Sequence, residues 1–127
     1  MSSPSLRILV VDDNADNLTL LQFFLETEGY QVETANSGKL AISKIQTTRP
    51  DLVLLDVMMP GMNGYEVTQV IRQDLQLRDL PIVLITADAR ISKEQTLNVG
   101  ANDVLSKPID FNTLLTLLNS WHRISVA

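Results

Sequence analysis

Cysteine is absent from the 127 residues, which removes disulfides, thiolate-held zinc and thiol nucleophiles from consideration. Basic residues are outnumbered, 10 against 15 acidic ones, for a net charge of −5. Nothing in that balance resembles the basic patch of a nucleic-acid binder. No apolar stretch approaches the length that spans a membrane. The opening Met1-Ser2-Ser3-Pro4 lacks the pattern of a signal peptide. Internal repeats, low-complexity tracts and interdomain linkers are missing as well. What remains is an expectation of one soluble, cytoplasmic domain over residues 1–127, with no effector domain after it and with neither nucleic acid nor membrane as a partner. A hydrophobic fraction of 45% is ample for a single core.

Apolar runs organise the chain. Ile8 to Val11, Leu52 to Leu55 and Ile82 to Ile85 are continuously apolar, as central parallel strands buried on both faces would be. Residues 31–35 alternate instead and read as a half-exposed edge strand. Between the runs, helical spacing recurs. Residues 14–28 present Leu18, Leu21, Phe24 and Leu25, with Gly29 as the stop signal. Residues 37–48 present Ala41, Ile42 and Ile45; residues 64–73 present Val67, Val70 and Ile71. Residues 110–123 carry the stripe Phe111, Leu114, Leu115, Leu118 and Trp121, with Asp110 as N-cap and only 124–127 beyond. Residues 89–99 are the weakest pattern, with Ile91, Leu97 and Val99 as anchors, and are expected to be loosely held. The order is βαβαβαβαβα, which predicts an α/β fold with one parallel sheet and helices on both faces.

Four of the five runs end on polar residues suited to phosphoryl chemistry. They lead into Asp12-Asp13, Asp56, Thr86 and Lys107-Pro108. In parallel strands those ends share one sheet edge, where ligands bind in open α/β sheets. Three carboxylates meeting there would repel one another, so either a proton is retained or a cation sits among them. Hard carboxylate oxygens suit magnesium, and the backbone carbonyl of Met58 is a further available ligand. The sulfurs of Met58, Met59 and Met62 are unsuited to that ion and read as gap-fillers. Asp56 can attack phosphorus to form an acyl phosphate. Thr86 can donate its hydroxyl to a phosphoryl oxygen, and Lys107 can neutralise phosphoryl charge. A cis Lys107-Pro108 bond would aim that ammonium inward. His122, the only histidine, reads as a helix-end cation.

Taken in order, Asp12-Asp13, the run Leu52 to Asp56 leading into Met59-Pro60-Gly61-Met62-Asn63-Gly64, Thr86-Ala87, Gly100-Ala101-Asn102-Asp103 and Lys107-Pro108 resemble a response-regulator receiver domain of two-component signalling, of the stand-alone, chemotaxis-regulator-like kind. The resemblance covers essentially the whole chain. It implies a flavodoxin-like five-stranded sheet of order 2-1-3-4-5 with five helices. It implies that Asp56 accepts a phosphoryl group from a sensor histidine kinase or a histidine phosphotransfer protein. Magnesium would be held by Asp13, Asp56 and the Met58 carbonyl directly, and by Asp12 through water. Thr86 and Lys107 would sense the acyl phosphate and change the face formed by the fourth helix, fifth strand and fifth helix for an unknown downstream protein. Leu18 and Pro108 are the expected docking contacts for the phosphodonor.

Two departures or choices shape this reading. Many receivers carry an aromatic residue three positions before the lysine; here it is Val104, which cannot swing as a ring does. The positions bordering the hydrolytic water, two beyond the acceptor and two beyond the threonine, are Met58 and Asp88. The competing enzyme reading, a magnesium-dependent phosphohydrolase with an aspartyl nucleophile, usually has an acid/base Asp where Met58 stands. The chain is therefore expected not to be an enzyme beyond its own phosphorylation and slow dephosphorylation. A phosphate shuttle or sink is the alternative role within signalling.

Overall fold

Strand and helix alternate through ten elements in a computed structural model that describes residues 6–88, 90 and 93–126. The strands are β1 (Arg7–Val11), β2 (Gln31–Ala35), β3 (Leu52–Asp56), β4 (Ile82–Thr86) and β5 (Asp103–Ser106). The helices are α1 (Ala15–Thr27), α2 (Gly38–Thr48), α3 (Gly64–Gln73), α4 (Lys93–Asn98) and α5 (Phe111–Val126). All strands pair in parallel, in the order β2-β1-β3-β4-β5. This is the expected flavodoxin-like topology, with the alternating strand β2 at one edge.

Side-chain alternation divides each central strand between two cores. Leu9, Val11, Val53, Leu55, Ile82 and Leu84 face Ala41 and Ile45 of α2 and Val67 and Ile71 of α3. Ile8, Val10, Leu52, Leu54, Val83 and Ile85 face Leu21 and Leu25 of α1 and Leu114 and Leu118 of α5. Burying each of these side chains contributes about 1.5–3 kcal/mol, enough to fix strand register, since a one-residue slip would exchange the two faces. Phe24 and Phe111 stack at 4.1 Å and join α1 to α5.

Local signals set the helix ends. The side chains of Asn14, Ser37, Asn63 and Asp110 accept backbone N–H groups at the starts of α1, α2, α3 and α5. Gly29, at φ +96°, ends α1 in a conformation that a Cβ would disfavour. Three helical expectations need correction. Val70 points to solvent, because Val67 and Ile71 already occupy the buried face of α3. In α5, Leu117 packs against the core and Leu115 is only half-buried, and the helix runs on to Val126, since no Gly or Pro stops it. The stretch read as a helix over 89–99 yields only the six residues of α4, and its anchor Leu97 is exposed. Residues 89, 91 and 92, including the anchor Ile91, lie outside the described residues, as does the side chain of His122.

One polar node lies at the sheet edge where β4 and β5 begin. Arg72 of α3 donates from Nε to the Gly100 carbonyl at 2.7 Å and from Nη2 to Asn102 Oδ1 at 2.9 Å. The same Oδ1 accepts the Ile82 N–H at 2.8 Å, while the Asn102 N–H donates to the Ile82 carbonyl. No helix among the described residues is long and apolar enough to cross a membrane.

Candidate functional site

The opposite edge of the sheet, where the strands end, gathers Asp12, Asp56, Thr86 and Lys107. Asp56 closes β3 and is buried, as is Asp12 just beyond β1. Oxygens of Asp12, Asp13 and Asp56 lie within 4.8 Å of one another. Lys107 Nζ reaches across from the segment after β5, 3.3 Å from Asp12 Oδ2 and 3.4 Å from Asp56 Oδ2. The Lys107–Pro108 bond is cis. The Lys107 N–H donates to the Thr86 carbonyl at 2.8 Å, which ties the ends of β4 and β5.

Each side chain is held differently. Asp12 accepts from the Asn14 N–H at 2.9 Å, from Asn17 Nδ2 at 3.2 Å and from Lys107. It therefore serves the start of α1 and the site together. Asp13 is exposed, and no hydrogen bond or ion pair of its carboxylate is found among the described residues. Asp56 Oδ1 accepts the Met58 N–H at 3.3 Å. The Thr86 hydroxyl is buried and accepts the Asp88 N–H at 2.9 Å, which leaves its own proton to donate. Gly64 is packed so tightly under the site that a Cβ would lie 2.6 Å from the Asp56 carbonyl oxygen. Only glycine lets α3 start directly beneath the acceptor strand.

The electrostatics are unbalanced. Burial first, and the neighbouring Asp12 charge second, push the Asp56 carboxyl up to about 6. Lys107 and the Met58 N–H pull it down but do not win. Burial works against the Lys107 ammonium, yet Asp56 and Asp12 overcome it and raise its pKa. One lysine facing three carboxylates leaves a deficit of positive charge. Clustered hard oxygens, two of them buried, fit a small divalent cation such as magnesium.

Of the residues singled out in the sequence for phosphoryl and metal chemistry, Asp12, Asp13, Asp56 and Lys107 meet in one place, and Thr86 ends the strand beside Asp56. Leu18 is half-buried against the core. The apolar residues α1 offers to solvent are Leu20, 54% exposed, and Phe23, 71% exposed. Leu20 lines a groove with Leu21, Pro108, Ile109 and Phe111 that opens onto Asp12 and Lys107. Asn14 and Asn17 are site residues that sequence reasoning missed; their signal is the polar helix start that directly follows Asp12-Asp13. Val104 is half-buried and packs against the core. Met58 is 68% exposed at the rim.

Comparison with known proteins agrees with this geometry. A family model described as the response regulator receiver domain matches residues 8–119. Response regulator PleD of Caulobacter vibrioides is 45% identical over 123 residues, which cover 96% of this chain and 27% of that protein. Protein PilH of Pseudomonas aeruginosa is 36% identical over 90% of this chain and 95% of its own length. The structure also superposes on the receiver domain of a sensor histidine kinase from Pseudomonas aeruginosa, solved with a magnesium ion coordinated in its active-site cleft. That match has a TM-score of 0.84 and 34% identity, and covers 93% of this chain and 98% of the other.

Proposed function

We propose, on the premise that this chain belongs to the response regulator receiver domain family of two-component signalling, that it is a cytoplasmic switch whose Asp56 accepts a phosphoryl group from a histidine kinase or a histidine phosphotransfer protein. The observation that carries this reading is the meeting of buried Asp56 with Asp12, Asp13 and Lys107 at one strand-end crevice. A carboxylate oxygen of Asp56 forms a bond to phosphorus as the phosphorus–nitrogen bond of the donor phosphohistidine breaks. The electron pair returns to the imidazole, which takes up a proton. Lys107 balances charge on the phosphoryl oxygens, and the Thr86 hydroxyl donates to one of them. Asp13, Asp56 and the Met58 carbonyl would hold magnesium directly and Asp12 through water; bound there, the ion supplies neutralisation of the carboxylates and of the phosphoryl oxygens. Intact-mass measurement after incubation with acetyl phosphate and magnesium tests the reading, since exactly one acceptor should give a single added phosphoryl group.

The signal leaves through the α4–β5–α5 face. With Val104 in place of a ring, the route runs through the backbone link from Lys107 to Thr86 and through the loop beyond β4. The chain acts on no substrate beyond its own acceptor. Water attacks the phosphorus of the acyl phosphate, Asp56 regains its carboxylate and phosphate departs. Met58 offers that water no hydrogen-bond partner, so the phosphoryl group is long-lived for this family. Met58→Asn should shorten the half-life several-fold in a single-turnover decay assay. Decay at the parent rate, with labelling and folding intact, would remove Met58 from this role.

Docking of the phosphodonor uses the groove between α1 and the segment after β5, with Leu20 and Pro108 in its lining; Leu18, the contact expected from the sequence, packs against the core instead and does not line it. Leu20→Asp, at an exposed position, should slow transfer from a phosphorylated donor protein at least about tenfold, because a charge would face the apolar contact. Labelling by acetyl phosphate should stay within about twofold of the parent, since the reacting groups are untouched. Equal loss with both donors would point to a damaged fold.

A further inference from the structure

The edge strands of a sheet carry backbone groups that the ladder leaves unused, and such a row can pair with a strand from another chain. β2 is one edge of this sheet. Gln31 donates its N–H to the Leu6 carbonyl, and the Ala35 carbonyl accepts the Asp12 N–H. With the parallel register of β2 on β1, Gln31, Glu33 and Ala35 turn their peptide groups towards β1. Val32 and Thr34 therefore turn theirs outward. Lys44 of α2 reaches over this edge. Its Nζ donates to the Thr34 carbonyl at 2.6 Å, so the ammonium occupies the place that the N–H of a further strand would take. The opposite edge is closed by the same means with the charge reversed. Val104 of β5 turns its N–H outward, and Asp103 Oδ1 accepts it at 2.8 Å. Away from Lys44, β2 is open. Gln31 and Glu33 are exposed, and a groove lined by Gln31, Val32, Glu33, Thr48 and Pro50 runs beside the start of the strand.

We propose that Lys44 keeps the β2 edge closed to a second copy of this chain, which would otherwise add its own β2 antiparallel to this one. The edge is self-complementary. About a twofold axis at Thr34, the two Thr34 residues stand opposite and exchange N–H and carbonyl. Glu33 of one copy then faces Ala35 of the other, so no like charges meet across the pair. This pairing needs the Thr34 carbonyl from both copies, and Lys44 holds it. An incoming N–H would have to strip the ammonium of its acceptor and would meet its positive charge, which makes the exchange unfavourable. A single strand edge buries little surface. The dimer that forms once the edge is uncovered is therefore weak, with a Kd on the order of 1 mM.

Sedimentation equilibrium of the parent chain and of Lys44→Met tests this. Methionine keeps the apolar stem and removes the donor and its charge. At about 1 mM protein the weight-average mass of Lys44→Met should rise to roughly 1.5 times that of the monomer, while the parent stays within about 1.1 times. Thr34→Pro in the Lys44→Met background should return the mass to that of a monomer. Proline at that position removes an outward N–H and breaks no bond to β1. Lys44→Met loses one hydrogen bond at a half-buried position, a small part of the stability of a domain, and circular dichroism should show the fold intact. Lys44→Gln, uncharged and shorter, is a second variant and should associate in the same way. Folded Lys44 variants that stay monomeric, or association that persists after Thr34→Pro, would overturn the proposal.

Discussion

Asp56→Asn is expected to abolish phosphoryl uptake from acetyl phosphate. The amide matches the carboxylate in size, so the packing around this buried position survives, but its oxygen is not a nucleophile towards phosphorus. Intact-mass spectrometry should show one added phosphoryl group on the parent and none on the variant. Label on the variant would move the acceptor elsewhere. The same substitution has a second, opposite effect on the fold. Asp56 titrates at about 6 in the folded chain against 3.8 for the free side chain, so the folded state prefers it protonated. Its contribution to stability is full below about pH 4 and is lost as pH rises through 6. Asparagine undergoes no such loss. Without metal at neutral pH, the variant should melt higher than the parent by roughly 2–6 °C, and the difference should vanish below about pH 4.

Asp13→Ala is expected to weaken magnesium binding by at least roughly tenfold, measured by calorimetric titration of the ion. Among the described residues Asp13 gives its carboxylate no internal partner, so its removal breaks no contact that holds the fold. It removes one of three mutually repelling charges, and the metal-free protein should be at least as stable as the parent. Asp12 is the informative contrast. Asp12→Ala would strip Lys107, Asn17 and the start of α1 of their shared acceptor, so stability and metal affinity should fall together. Unchanged magnesium affinity in Asp13→Ala would remove that residue from the metal shell.

How far the sequence could be read follows from where the interactions lie along the chain. Continuous apolar runs are a local signal for strands buried on both faces, and the polar residues ending them mark one sheet edge. Asp12, Asp56, Thr86 and Lys107 were legible for that reason. The sheet order came from resemblance to a family, because nothing in a run such as Ile82 to Ile85 says which strand lies beside it. Val70 was misjudged because helical spacing defines a stripe without its width. Leu97 was misjudged because a six-residue helix leaves no periodicity to measure. Partners distant in sequence left no local trace: Arg72 meets Gly100 and Asn102 across 28 and 30 positions, and Lys107 meets Asp12 across 95. The pairing of Asp88 with Arg90 is close in sequence but depends on the turn of the loop after β4, which composition alone does not specify.

The node built on Arg72 holds the starts of β4 and β5 together from the side of α3. Gly100 and Asn102 are anchored from outside α4, by the guanidinium on one side and by Ile82 on the other, in addition to the Gly100 and Ala101 N–H groups that donate to the Leu97 and Thr96 carbonyls of α4. Melting of α4 would therefore break that helix's own hydrogen bonds without unpairing β5 from β4. Amide protons in α4 are therefore expected to exchange faster than those of the β4–β5 ladder, and equal protection of the two in native-state hydrogen exchange would contradict this. On that expectation, α4 would open locally while the sheet that carries Asp56 stays closed.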